Sequence, residues 1–130
     1  MTENTEQLTH HNRDLYLPKV ATVNKEKLMN GTELYMHVSM DEEPLDYKPG
    51  QFVEVSLAGY GEAPISITSS PSQKGGFELV IRKIGNVTNQ IHKLKTGDKI
   101  GVRGPFGQGL YPIEDSKGKN LIFICGGIGL

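Results

Sequence analysis

The sequence predicts an all-β fold, a six-stranded antiparallel Greek-key barrel carrying one short helix. Three observations lead there. Sixteen glycines and seven prolines among 130 residues supply frequent turns, which many short strands need and a helical bundle does not. Between those turns, apolar residues mostly recur with a period of two. One segment alone, Asn86 to Leu94, spaces them as a helix would.

The elements follow in order. Residues 1–16, "MTENTEQLTHHNRDLY", are polar and aperiodic and read as a tail. His10 and His11 within it are metal-ligand types, but adjacent histidines in a polar tail are more commonly just solvated. Lys19 to Val23 is a first strand. Thr32 to Met40 is a second, with Leu34, Met36, Val38 and Met40 on one face. Tyr35, His37 and Ser39 share the other, which makes His37 a surface strand residue. "DYKPGQF" is a turn centred on Pro49-Gly50, and Phe52 to Leu57 is the third strand. "GYGEAP" reads as a loop, Ile65 to Thr68 as extended chain, and "SPSQKGG" as a turn. Phe77 to Lys83 alternates again. In Asn86 to Leu94 the apolar residues Val87, Ile91 and Leu94 step by four and three, one stripe of a short helix. Asn86 suits its N-cap, and Lys93 and Lys95 suit the negative end of its dipole. Thr96-Gly97-Asp98 ends the helix, and Lys99 to Arg103 returns to strand.

Composition narrows the function classes. Fourteen basic residues against fifteen acidic ones leave a formal charge of -1, so no electrostatic footprint for nucleic acid arises. With 7% aromatics, stacking platforms for an oligonucleotide are not evident either. No apolar run approaches the roughly 18 residues of a membrane span, and no signal-peptide core is visible. One cysteine, Cys125, cannot staple the fold; this fits a cytoplasmic chain. A thiolate metal cluster built from this chain alone is ruled out, and no metal site is expected.

Three segments could carry chemistry. In "VIRKIGNVTN" a strand ends, Gly85 allows a sharp turn, and a helix begins with Thr88 in its first turn. Unpartnered amides at such a start form an anion site, with Thr88 adding a hydroxyl and Arg82 a guanidinium. A capped surface helix beside an ordinary strand arginine explains the same residues, and the segment alone does not choose. In "GEAPISITSS" Pro64 fixes an extended approach and Ser66 lies opposite Ile65 and Ile67, either to bond a flat heterocycle or simply to face water. "NLIFICGGIGL" joins five apolar residues, Leu121 to Cys125, to glycines 126, 127 and 129. That pattern reads as a strand buried on both faces, then a turn whose backbone can approach a ligand closely.

Taken in order, "YKPGQF", "APIS", "VIRKIGNVT", "GPFGQG" and "LIFICGGIGL" resemble the FAD-binding half of the ferredoxin–NADP reductase superfamily. The branch they resemble contains hydrogenase gamma subunits and the electron-transfer subunits of anaerobic sulfite reductase and dihydroorotate dehydrogenase. The resemblance covers about residues 17 to 130. It implies a FAD-binding barrel over 17–115, and over 120–130 the first strand of a truncated α/β NAD(P)-binding domain. It also implies transfer of electrons between NAD(P)H and an iron–sulfur partner, within a larger redox complex such as a hydrogenase or reductase. NAD(P)H and a [2Fe-2S] cluster belong to the full-length protein, so a chain ending at Leu130 is expected not to be reduced efficiently by NAD(P)H. A small β-barrel that only binds a partner protein is the alternative from another class.

Residue by residue, the resemblance places the family's flavin motif on Ala63, Pro64, Ile65 and Ser66. Ile65 is then expected against the isoalloxazine, and Ser66 at its N5 edge as the catalytic hydroxyl. Val80, Ile81 and Arg82 are expected along the ribityl and pyrophosphate, and Gly85, Asn86, Val87 and Thr88 at the phosphate. Gly126, Gly127 and Gly129 fall on the NAD(P) side. One position departs from the pattern: the motif's usual arginine is Ala63 here, and Arg82 is the cation expected to serve in its place.

Overall fold

The computed structural model describes residues 16–109 and 111–129; His10 and His11 lie outside them. Six strands form one antiparallel sheet: β1 (Lys19–Leu28), β2 (Glu33–Met40), β3 (Phe52–Leu57), β4 (Gly61–Ser66), β5 (Phe77–Arg82) and β6 (Lys99–Phe106). Helix α1 (Asn86–Ile91) joins β5 to β6, and a single turn, α2 (Ile113–Ser116), follows β6. The strand order is β4-β3-β6-β1-β2-β5. The mostly-β antiparallel architecture expected from the sequence is therefore present, with a second very short helix added.

Period-two burial builds the core. Leu34, Met36 and Val38 from β2 meet Phe77, Leu79 and Ile81 from β5 inside, along with Val53, Val55 and Val102. Tyr47 stands edge-on to Phe77, with ring centroids 6.4 Å apart. The turn before β3 is closed by the Gln51 amide donating to the Lys48 carbonyl at 3.2 Å. Gly50 sits at φ +87, the left-handed position that a Pro-Gly turn assigns to glycine.

Beyond shifts of one to three residues at an end of β2, β5 and β6, four boundaries differ from the sequence reading, each for a physical reason. β1 runs five residues further, past a bulge between Val23 and Lys25, because β2 pairs with it as far as Leu28 and Leu34. β4 occupies most of what reads as loop. Its residues 61–66 pair with β3 on one side only, and an edge strand tolerates the missing N–H of Pro64. Helix α1 stops at Ile91 and its N-cap is Gly85, with Asn86 in the first helical position. Leu121 to Cys125 is neither buried nor in a ladder. Leu121, Ile122, Phe123 and Ile124 are 51%, 87%, 59% and 95% exposed, since no described residue offers this segment a neighbouring strand.

The barrel also keeps a seam where a closed one was expected. β4 and β5, the two ends of the sheet, meet only beyond Ser66, through the Ile67–Leu79 bridge. There the Thr68 amide donates to the Glu78 carbonyl at 2.9 Å. On the other side of that bridge the two edges diverge. Unpaired strand edges present backbone donors and acceptors, and α1 lies against β3 and β4 at the open end.

Candidate functional site

A groove of about 800 Å³ follows this seam. That is within the usual 300–1,000 Å³ of cofactor sites. Residues 62–68 form one wall, Val80, Arg82 and Ile84 another, and Gly85 to Thr88 the end; Ile128 and Gly129 also border it. Ten of the eleven positions expected to hold the cofactor thus line one cavity, although they come from three elements. The eleventh is Ile81. Its side chain is 1% exposed and belongs to the core, because strand alternation turns it inward from Val80 and Arg82. A second cavity of about 370 Å³, beside Met40, Tyr47 and Phe77, contains none of the expected residues.

The lining residues differ in what they offer. Pro64 and Ser66 are exposed, and no described residue hydrogen-bonds the Ser66 hydroxyl. Ile65 borders the groove at 9% exposure, so little of its side chain is open to a ligand; most of it packs in the core opposite Val53. Gly126 and Gly127 are exposed with open space around them and do not border the groove.

The helix start is organised by Thr88. Its hydroxyl accepts hydrogen bonds from the amides of Ile84 and Gly85, both at 2.9 Å, and donates to the Gly85 carbonyl at 3.1 Å. That hydroxyl shapes the turn from a position that borders the groove. The amides of Asn86, Val87 and Thr88 precede the first intrahelical bond, from Asn89 to Gly85 at 2.8 Å, and they are what the turn leaves to an anion. Ile91, fully buried, pins α1 to the core, while Val87 and Leu94 pack partly against it. The His92 Nε2 and the Ile81 carbonyl, 2.8 Å apart, tie the end of α1 back to β5.

Two ion pairs flank the groove, and neither is visible from sequence spacing. Arg82 donates through Nε to Glu33 at 2.7 Å, across the register pair Glu33–Arg82 of β2 and β5. The Thr32 hydroxyl, Arg82 and Asn30 hold the Glu33 carboxyl below the usual carboxylate range, outweighing the opposing effect of its burial. On the other wall Arg103 grips Glu62 through both Nε and Nη2, with its guanidinium 5.4 Å from the Phe106 ring centre. Hydrogen bonds from Arg103 hold Glu62 low as well. Glu62 is thereby neutralised beside Ala63, where a bare carboxylate would repel an anionic ligand.

Hydrogen bonds to Lys99 and Thr22 likewise depress Asp41, and those to Thr96 depress Glu26. A carboxylate with a lowered folded pKa stabilises the fold above its unfolded value, near 4, and loses that contribution as the pH falls through the folded value. The melting temperature should therefore hold from pH 7 to about pH 5 and drop below about pH 4. Glu62→Gln should flatten that acid limb. Parallel melting curves of Glu62→Gln and wild type that merely shift together would remove Glu62 from the acid transition.

A family model described as an oxidoreductase FAD-binding domain matches residues 19–111. The chain belongs to this family. The match spans every strand and the α1 wall of the groove. Among relatives, this FAD-binding domain is 52% identical over 87 residues to the sulfhydrogenase 1 subunit gamma of Pyrococcus furiosus, covering 67% of this chain and 30% of that one. It is 38% identical over 88 residues to a second P. furiosus protein, named "Probable dihydroorotate dehydrogenase B (NAD(+)), electron transfer subunit", covering 68% and 32%. The domain thus spans about a third of the length of the curated relatives it matches. Ferredoxin-NADP+ reductase from Plasmodium falciparum shares the fold, with a TM-score of 0.62 and 16% identity over 76% of this chain and 41% of that one. Both the superfamily and the branch suggested by the sequence motifs are borne out. No helix among the described residues is long and apolar enough to cross a membrane.

Proposed function

We propose that the seam groove holds FAD and that the chain is the flavin-binding part of an NAD(P)H-linked electron-transfer subunit in a larger cytoplasmic redox complex. The observation that carries this reading is the convergence of residues 62–66, Val80, Arg82 and 85–88 on one groove, in a chain that matches the FAD-binding domain family. The residues suit such a ligand. One wall is an exposed strand edge with a proline and a free hydroxyl, fit for a flat heterocycle. The far end gathers a guanidinium and unpartnered amides, fit for a diphosphate. The only carboxylate lining the groove among the described residues, Glu62, is already paired.

When bound, FAD supplies the exchange of a hydride with a nicotinamide and of single electrons with an iron–sulfur centre. The chain's own residues bind and orient it. Ser66 would donate a hydrogen bond to the ring's N5 edge, Pro64 and Ile65 would keep the strand extended along the ring, and Val80 would exclude water. Arg82 and the amides of Asn86 to Thr88 would hold the pyrophosphate. Gly126, Gly127 and Gly129 would serve the NAD(P) side, and a [2Fe-2S] cluster would supply the single-electron acceptor.

Calorimetric titration of the purified chain with FAD tests the reading. Saturable one-to-one binding, with the visible absorption of bound flavin, is expected. A colourless chain that takes up no FAD would return it to the class of protein-interaction barrels.

A further inference from the structure

Glu33 is the one charged side chain buried among the described residues, at 7% exposure, and it lies at the edge of the groove without lining it. Carboxylates seldom occupy such positions without a specific partner. This one is held at both oxygens. Its Oε1 accepts the Arg82 Nε–H at 2.7 Å, and its Oε2 accepts the Thr32 hydroxyl at 2.7 Å. The Asn30 side-chain oxygen, in turn, accepts the backbone amides of Thr32 and Glu33 at 2.8 and 2.9 Å. The β1–β2 turn is thus a bracket whose output is a fixed carboxylate.

What the bracket fixes is Arg82. A guanidinium has five N–H donors in a rigid fork. Glu33 takes only the Nε–H, and no described residue takes those on the two Nη nitrogens. The side chain is 46% exposed and borders the groove beside Gly85 to Thr88. Anchored at Nε, it keeps both Nη groups for a ligand and loses its rotamer freedom before that ligand arrives. Lysine would serve less well, because its ammonium lacks the planar fork in which one nitrogen is anchored while two others keep a fixed direction.

We infer that Glu33 is a positioning residue: it orients Arg82, through the Arg82 Nε, toward the pyrophosphate of a dinucleotide in the seam groove. The inference rests on the flavin reading above. Two effects of Glu33 oppose each other. Its negative charge weakens the pull of Arg82 on a phosphate, and its hydrogen bond removes the entropy cost of ordering a long cationic side chain. The second should win, because the carboxylate sits behind the guanidinium and does not line the groove, whereas the freedom of an unanchored arginine would have to be lost on binding.

Three variants of the full chain, Glu33→Gln, Glu33→Ala and Glu33→Ala/Arg82→Ala, can be titrated with FAD and FMN beside wild type and Arg82→Ala. Glu33→Gln keeps an oxygen acceptor for Nε and should bind FAD at least as tightly as wild type. Glu33→Ala should bind FAD about three- to tenfold more weakly, a fraction of the rotamer freedom of arginine, and FMN unchanged. The double variant should bind no worse than Arg82→Ala alone. In the ligand-free chain, the Arg82 Nε–H resonance should be protected from exchange in wild type and lose that protection in Glu33→Ala. If Gln and Ala both bind FAD more tightly than wild type, Glu33 merely screens charge and the inference fails. An equal loss of FAD and FMN in Glu33→Ala would overturn it too, by marking a general loss of structure. Wild type failing to bind FAD would sink the flavin reading itself, a result distinct from either.

Discussion

Changing Arg82 to alanine should weaken FAD binding by about ten- to a hundredfold, the equivalent of roughly 1.5–3 kcal/mol for a charge-assisted contact. The lower end is expected, because the side chain is 46% exposed and solvent screens its charge. The size of the effect follows from an absence. Ala63, at the position where the motif resemblance implies arginine, carries no charge, and α1 spans only Asn86–Ile91, so the short helix adds little more than its first amides. Arg103→Ala is the matched control. Its fork is engaged with Glu62, so at the groove its loss acts chiefly by baring a carboxylate, and the change in FAD affinity should be no more than a few-fold. FMN lacks the pyrophosphate and adenosine, so it should bind more weakly than FAD and barely distinguish these proteins. Equal FAD affinities for wild type, Arg82→Ala and Arg103→Ala would show that Arg82 is a strand arginine facing water.

Ile91→Ala should couple stability to the site. Ile91 is completely buried and is the side chain by which α1 enters the core. Truncating a buried isoleucine costs about 2–5 kcal/mol, through lost transfer energy and the cavity left behind. A domain of this size has only about 5–15 kcal/mol in total. The helix start at Gly85–Thr88 rides on that anchor, so FAD affinity should fall further than the change in stability alone explains at a temperature where the variant is folded. Denaturant melts combined with FAD titration at low temperature separate the two. Destabilisation with unaltered FAD affinity would show that the phosphate end of the groove is held by Thr88 and His92 without Ile91.

The same contrast between local and distant causes decides what could be foreseen. Where a strand is half buried, alternation in the chain reports it. Leu34, Met36 and Val38 against Tyr35 and His37, or Phe77, Leu79 and Ile81 against Glu78, Val80 and Arg82, place each side chain on its face before any partner is known. The Pro49-Gly50 turn is legible for the same reason, since its conformation is a property of those two residues. So is the ordered series of short motifs that marks the FAD-binding domain, and with it nearly all the groove positions.

Pairing, in contrast, is not a local property. The polar end of β1 and the Gly-Pro-containing β4 are strands only because β2 and β3 lie alongside to hydrogen-bond them. Leu121 to Cys125 shows the converse. It has the composition of a buried strand but no neighbour among the described residues, so it stays exposed. The capping role of the Thr88 hydroxyl depended on the path of the turn before it, which propensity alone does not specify. Glu33 and Arg82, separated by 49 residues, become partners through the register of β2 against β5. Glu62 and Arg103 meet because β3 lies between β4 and β6 in the sheet. Sequence by itself determined the family, the core faces and the list of candidate contacts. Tertiary structure alone decided which carboxylate sits behind which guanidinium, because charges and strand edges far apart in the chain acquire partners only when the sheet curls and leaves its seam.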